Sequence, residues 1–249
     1  MTVSIITATY NAGKTFESAL RSVINQTHPH IEYIVVDGGS SDQTLKIADT
    51  YKAFIHHFIS EPDRGIYDAL NKGIEMATGD VIAFLHADDL LDDDTTIATI
   101  VEEFERTKAD AIYGDLEYVQ FQNPDKVIRY WQSKTFKPAL LKAGWMPPHP
   151  TLFLKAQVFK EIGKFNIDYK IAADYDFILR FFSNGKYVAE YVPMVITRMR
   201  VGGTSNNSLK NIWIKSKEDL RALKQNKVGN VLSLIWKNVS KLPQFLKRN

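Results

Sequence analysis

Within the first ninety residues, short β-branched or aliphatic runs end in turns and give way to apolar residues at helical spacing, and this alternation limits the fold more than any other feature. "VSIITAT" at 3–9 is followed by Tyr10-Asn11-Ala12-Gly13, after which Phe16, Leu20, Val23 and Ile24 recur at helical intervals. "YIVVD" ends at Gly38-Gly39, and Ser41 or Asp42 is placed to cap a helix over "QTLKIADTYK". "FIHHFIS" is a third strand, "GIYDALNKGIEMATG" a helix closed by Gly79, and "DVIAFLHA" a fourth strand. Strands without a polar face, separated by helices, predict an α/β fold with a mostly parallel central sheet covered on both faces.

A chain of 249 residues, 45% hydrophobic, can bury one large core. We divide it into a domain over residues 1–207, with halves at about 1–115 and 116–207, and a helical tail over 208–249. With no cysteine, disulfides and thiolate metal sites are excluded. Met1 leads directly into a strand-like segment, and no apolar run approaches the roughly 18 residues that span a bilayer, so a cytoplasmic chain is expected.

Charge is unevenly placed. No acidic residue follows Asp219, whereas Arg221, Lys224, Lys227, Lys237, Lys241, Lys247 and Arg248 do; residues 1–219 hold 24 basic against 29 acidic residues. The basic excess belongs to the tail, which argues against a general nucleic-acid surface. In that tail Val231, Leu232, Ile235, Trp236, Val239 and Leu242 follow helical spacing, with Lys237 and Lys241 among the polar positions. Such a helix suits an anionic membrane surface, or packs on the domain or a partner.

Ligands of open α/β sheets bind beyond the carboxyl ends of the strands. Three strands end there in polar groups: Thr7 to Asn11, Asp37 to Ser41, and His86 to Asp89. Asp37 is placed to accept a hydrogen bond from a nucleobase or ribose beside two glycines, or to cap the next helix. Asp88 and Asp89 are hard oxygen ligands suited to Mg²⁺ or Mn²⁺. Asp92, Asp93 and Asp94 start the helix "TTIATIVEEFERTK".

"SEPDRGIYDALNKG" brings Arg64, Asp68, Asn71 and Lys72 toward the same crevice. In "IAADYDFILRFFSNG", Asp174 and Asp176 open a helix that buries Phe177, Ile178, Phe181 and Phe182 and stops at Gly185; either is a general base or a cap. His149 lies between prolines in "GWMPPHPTLFLK". Arg198, Arg200 and the Gly202-Gly203-Thr204-Ser205 loop end a β-rich stretch, where backbone amides can close over a phosphate or simply form a turn.

"SIITATYNA", "IVVDGGSSD", "SEPDRGIYDALNKGI", "FLHADD", "HPTLFLK", "AADYDFILR" and "GGTS" occur in the order seen in family 2 glycosyltransferases. Over residues 1–207 the chain resembles the bacterial branch that builds O-antigen, capsule and colanic-acid repeat units. The resemblance implies a GT-A fold, a nucleotide-sugar donor, a divalent cation (Mn²⁺ or Mg²⁺) and inverting hexosyl or N-acetylhexosaminyl transfer. The acceptor it implies is a polyprenyl-diphosphate-linked glycan at the inner face of the cytoplasmic membrane. Carried over by position, Thr7, Ala8, Tyr10, Asn11 and Asp37 resemble nucleoside contacts, and Arg64, Asp68 and Lys72 donor contacts. Asp88 and Asp89 resemble the metal and diphosphate region and Asp174 the base; His149, Asp176, Gly203 and Thr204 fall near the diphosphate or acceptor. The chain departs from the pattern at His86, where an aspartate is common, and at Ala173, where a glutamate is common. Those departures keep two other readings open: a non-catalytic nucleotide-sugar-binding protein and a sugar-phosphate nucleotidyltransferase.

Overall fold

A computed structural model describes residues 1–202 and 209–239. The chain begins β1 (Val3–Thr9), α1 (Phe16–Ile24), β2 (Ile31–Asp37), α2 (Thr44–Thr50), β3 (His57–Ser60), α3 (Ile66–Met76) and β4 (Val81–Phe84). It continues through β5 (Leu90–Leu91), α4 (Thr96–Thr107), β6 (Ala111–Val119), β7 (Val127–Trp131), α5 (Ala139–Lys142), β8 (Phe153–Lys155) and α6 (Ala156–Ile162). Last come α7 (Ala173–Ser183), β9 (Ala189–Arg200), α8 (Leu209–Gln225) and α9 (Val231–Val239).

The strands form one sheet in the order β3-β2-β1-β4-β8-β6-β9-β5, with β7 paired to β6. The first four are mutually parallel, so their carboxyl ends share one edge. Beyond β4 the pairing is mixed: β8 is antiparallel to both neighbours, while β6 and β9 are parallel.

Successive strand side chains face opposite ways, and each face meets its own helix layer. Val3 and Ile5, Tyr33 and Val35, and Val81 and Ala83 pack with Phe16 and Leu20 of α1 and Ile97, Ile100 and Phe104 of α4. Ile6, Ile34, Ile82 and Phe84 pack with α3, α6, α7 and α8. The four-strand unit is therefore apolar on both sides, as its sequence requires. Helix α3 lies so close to β1 that a Cβ at Gly73 would come within 2.4 Å of Ile6.

Three expectations about element ends are corrected. Helix α3 stops at Met76 with Ala77 extended, and Gly79 instead packs against Ser4 and Thr2, where a side chain would clash. Of Asp92, Asp93 and Asp94, Asp93 bonds to the N–H of Thr95 at the start of α4, whereas Asp92 pairs with Arg198 at 2.6 Å. In α9 the expected polar position Lys237 faces inward and is 3% exposed, while Val231, Leu232, Ile235, Trp236 and Val239 are exposed. Gly185 does follow α7 in the left-handed region, at φ +71°.

Candidate active site

The carboxyl edge of β2, β1 and β4 carries two clusters. At the β1/β2 end, Tyr10 leaves its ring 66% exposed. Asn11 turns the chain at φ +49°, and its side-chain oxygen accepts the N–H of Ser41 at 2.9 Å, tying the two strand ends together. A Cβ on Gly38 would lie 2.5 Å from an Asp63 carboxylate oxygen and 3.4 Å from the Tyr10 ring. An open aromatic face, a side-chain-free floor and a carboxylate thus meet at one point. Asp63 was not legible as a site residue, because only the fold brings the "EPDRG" loop against Gly38.

Asp37 itself belongs to the turn. It is fully buried, and its carboxylate accepts the N–H groups of Gly39 at 3.0 Å and Ser40 at 2.9 Å and the hydroxyls of Ser40 and Ser60. Thr7 is likewise buried, donating to the Leu85 carbonyl at 2.7 Å and lying 3.1 Å from the Tyr33 hydroxyl. Both shape the strand ends through these internal hydrogen bonds. Ala8 is buried beneath them. Arg64 is exposed and reaches Asp68 at 3.3 Å; Lys72 pairs with Glu61 at 2.7 Å.

The second cluster gathers at the end of β4. His149 stacks on Phe84 with ring centroids 5.5 Å apart and lies 6.4 Å from the His86 ring. Burial pulls the His149 imidazole down to about 4, against the charge of Asp174, and lowers His86 as well, against Asp88 and Asp174. Both rings are therefore neutral at pH 7, and His86 Nδ1 and His149 Nε2 are buried without a hydrogen-bond partner among the described residues.

Asp174 is half-buried in the first turn of α7. The Tyr67 hydroxyl donates to the Ile171 carbonyl at 2.6 Å and lies 3.2 Å from Asp174 Oδ1. Burial, and then the Asp174 charge, hold the Tyr67 phenol well above its ordinary range, so it stays a donor. Tyr67 thus joins the "DRGIYDALNKG" helix to the aspartate. Glu218 of α8 completes the support by accepting the N–H groups of Lys170, Ile171 and Ala172 at 2.9, 2.9 and 3.0 Å. Neither partner was evident from spacing, since the contacts span more than 40 residues.

Asp176 does not join the crevice: it is buried, pairs with Arg180 at 2.9 Å and accepts from Asn226 at 3.0 Å, which corrects its assignment to the acceptor region. Gly203 and Thr204 lie outside the described residues.

No cluster of three or more His, Asp or Glu side chains among the described residues encloses a metal. The donor set at the end of β4 fits a cation shared with ligand phosphates, a site that needs only one or two protein carboxylates. Asp88 is half-buried there. Asp89 is fully buried; one oxygen accepts the Arg200 N–H at 3.2 Å and the other has no partner among the described residues, while burial and the adjacent Asp88 push its carboxyl well above the usual range.

A sequence profile described as Glycosyl transferase family 2 matches residues 4–163. A PGL/p-HBAD biosynthesis glycosyltransferase of Mycobacterium tuberculosis is 33% identical over 220 residues, covering 85% of this chain and 82% of the relative. A putative teichuronic acid biosynthesis glycosyltransferase of Bacillus subtilis, TuaG, is 37% identical over 142 residues, covering 55% and 56%. Among solved structures, S. aureus TarS 1-349 in complex with UDP superposes with TM-score 0.69 at 20% identity, over 100% of this chain and 71% of that one, which places the fold with the GT-A glycosyltransferases. The mannosyltransferase PcManGT of Pyrobaculum calidifontis, in complex with GDP-Man and Mn²⁺, gives 0.63 at 20% identity over 90% and 63%. On the profile match and the near full-length relative, the chain belongs to glycosyl transferase family 2.

Proposed function

We propose that this chain transfers a hexosyl or N-acetylhexosaminyl group, with inversion, from a UDP-sugar to a hydroxyl of a polyprenyl-diphosphate-linked glycan during synthesis of a bacterial surface polysaccharide such as O-antigen or capsule. The observation that carries this reading is Asp174, held half-buried by Tyr67 beside the cluster that contains Asp88. TarS binding UDP, and in another complex UDP-GlcNAc, supports the choice of donor class.

In this reading Tyr10 and Asn11 flank the nucleoside, with Gly38 beneath the base and Asp63 accepting from it. Arg64 and Lys72 reach toward the diphosphate, and Asp68 holds Arg64 in place. Asp174 removes the proton from the acceptor hydroxyl, whose oxygen attacks the anomeric carbon opposite the departing nucleoside diphosphate. His149, neutral and buried, adds no competing charge beside that carboxylate. A divalent cation, Mn²⁺ or Mg²⁺, would be held by Asp88 and the donor phosphates and would offset the charge of the leaving group; the Mn²⁺ in the PcManGT complex supports its use. No helix among the described residues is long and apolar enough to cross a membrane, and the reading places the protein peripherally on the cytoplasmic face through α9.

Asp174→Asn is expected to lower kcat by roughly 10²- to 10⁴-fold, the range for losing a general base, while UDP affinity measured by calorimetry with Mn²⁺ stays within a factor of a few. Normal turnover by this variant would remove the base assignment.

A further inference from the structure

Helix α8 carries a second concavity that the crevice does not use. Trp213, Ile214, Lys217, Glu218 and Arg221 fall on one helical face and, with Lys170 from the segment leading into α7, line a cavity of about 470 Å³. That volume is in the range of small-ligand pockets. Trp213 is 65% exposed, with the Lys217 ammonium 5.4 Å from its ring centroid, and the Arg221 guanidinium sits 4.7 Å from the Tyr169 ring.

Three cations and one carboxylate line the walls, and the carboxylate is already engaged. Glu218 faces the backbone, accepting from Lys170, Ile171 and Ala172. Among the described residues, none of the side-chain cations of Lys170, Lys217 and Arg221 forms an ion pair with a carboxylate. The cavity therefore presents positive charge beside an aromatic face, which is complementary to an anionic group attached to an apolar chain. Its Lys170 wall begins the segment that leads to Asp174: Ile171 gives its N–H to Glu218 and receives the Tyr67 hydroxyl on its carbonyl. A ligand anchored here by its phosphates would sit next to the element that holds the base.

We propose that this cavity binds the diphosphate of an isoprenyl-diphosphate-linked acceptor, with Lys170, Lys217 and Arg221 meeting the phosphates and Trp213 and Ile214 covering the first part of the chain. The proposal rests on the reading of Asp174 as the base for transfer to a lipid-diphosphate-linked glycan, and it assigns where that acceptor is held.

The test titrates farnesyl diphosphate into the full chain, by calorimetry, in the presence of saturating UDP and Mn²⁺. Saturable binding is expected, weakened at least 10-fold by Lys217→Glu, by Arg221→Glu and by Trp213→Ala. These side chains are exposed, and a thermal melt checks that each variant is folded. Farnesol, which lacks the diphosphate, and inorganic pyrophosphate, which lacks the chain, are each expected to bind more weakly. The proposal is overturned by absence of saturable binding, by displacement with UDP, or by variants that bind like the wild type. Pyrophosphate binding as tightly as farnesyl diphosphate would overturn the lipid assignment, and farnesol doing so would overturn the phosphate contacts. Failure of the catalytic reading shows separately, as normal turnover by Asp174→Asn, and leaves the farnesyl diphosphate result standing on its own.

Discussion

At the residue scale, the site depends on groups whose protonation and direction are set by burial. Tyr67 hydrogen-bonds to Ile171 and Asp174, so Tyr67→Phe removes both bonds while keeping the ring against Phe165. We expect it to cost about 1 kcal/mol of stability and to lower kcat roughly 10-fold, about 1.4 kcal/mol of barrier, with donor KM unchanged; a change confined to KM would separate Tyr67 from the base. His149 gives a pH prediction. Its folded-state value of about 4 lies below the roughly 6.5 of a free imidazole. As pH falls between those values the unfolded chain takes up a proton that the folded chain does not, so stability is lost across that window. The loss approaches about 3 kcal/mol by pH 4. His149→Phe should remove that part of the slope when urea midpoints are followed from pH 7 to pH 4. A variant slope equal to the wild type would show that His149 is not buried neutral.

Elements carry the next level, and the two tail helices behave differently from each other. Helix α8 buries Ala222 and Leu223 in the main core, whereas α9 is fastened by an ion pair: Lys237 Nζ lies 2.8 Å from Asp219 Oδ2 and 3.1 Å from the centroid of the Tyr175 ring. Asn230 helps to start α9 by accepting the N–H of Leu232. Burial lowers the Lys237 ammonium to about 8, which still leaves it mostly charged at pH 7. Removing one partner strands the other, so Asp219→Asn should cost about 3 kcal/mol, while the double variant Lys237→Met with Asp219→Leu should be near neutral. Equal losses in chemical denaturation would contradict this. The contrast shows what the sequence could disclose. Strands β1, β2 and β4 were legible because both faces of a parallel sheet must be apolar, and α7 because Phe177, Ile178, Phe181 and Phe182 keep helical spacing. The positions of Asp174 and Asp88 followed from those elements. The roles of Glu218 and Asp63, and the fully buried states of Thr7, Asp37 and Asp89, were not legible, since each depends on partners far along the chain. Lys237 misled because an apolar stripe ordinarily marks the inward face.

For the whole molecule, that inversion has a consequence. The Lys237–Asp219 pair fixes the roll of α9, so Val231, Leu232, Ile235, Trp236 and Val239 point away from the protein together. Exposing so much apolar surface on one helix is unfavourable in water and calls for an occupant. Apart from the buried Lys237, six basic and no acidic residues follow Asp219, which suits an anionic lipid surface, where each nearby cation contributes about 1 kcal/mol. We expect the full chain to co-sediment with vesicles containing phosphatidylglycerol and not with purely zwitterionic ones. Binding should weaken between 0.1 and 1 M NaCl, as the screening length falls from about 10 to about 3 Å. Leu232→Glu with Trp236→Glu should abolish sedimentation while leaving the melting temperature within about 2 °C, because exposed positions rarely alter stability by much more than about 0.5 kcal/mol. If the double variant still sediments, the face serves something other than lipid. If it is lost from vesicles but keeps transfer to a detergent-dispersed acceptor, α9 delivers the enzyme to its substrate and takes no part in the chemistry. That division follows from the architecture: Asp174 is supported by Tyr67 and Glu218, neither of which lies on α9.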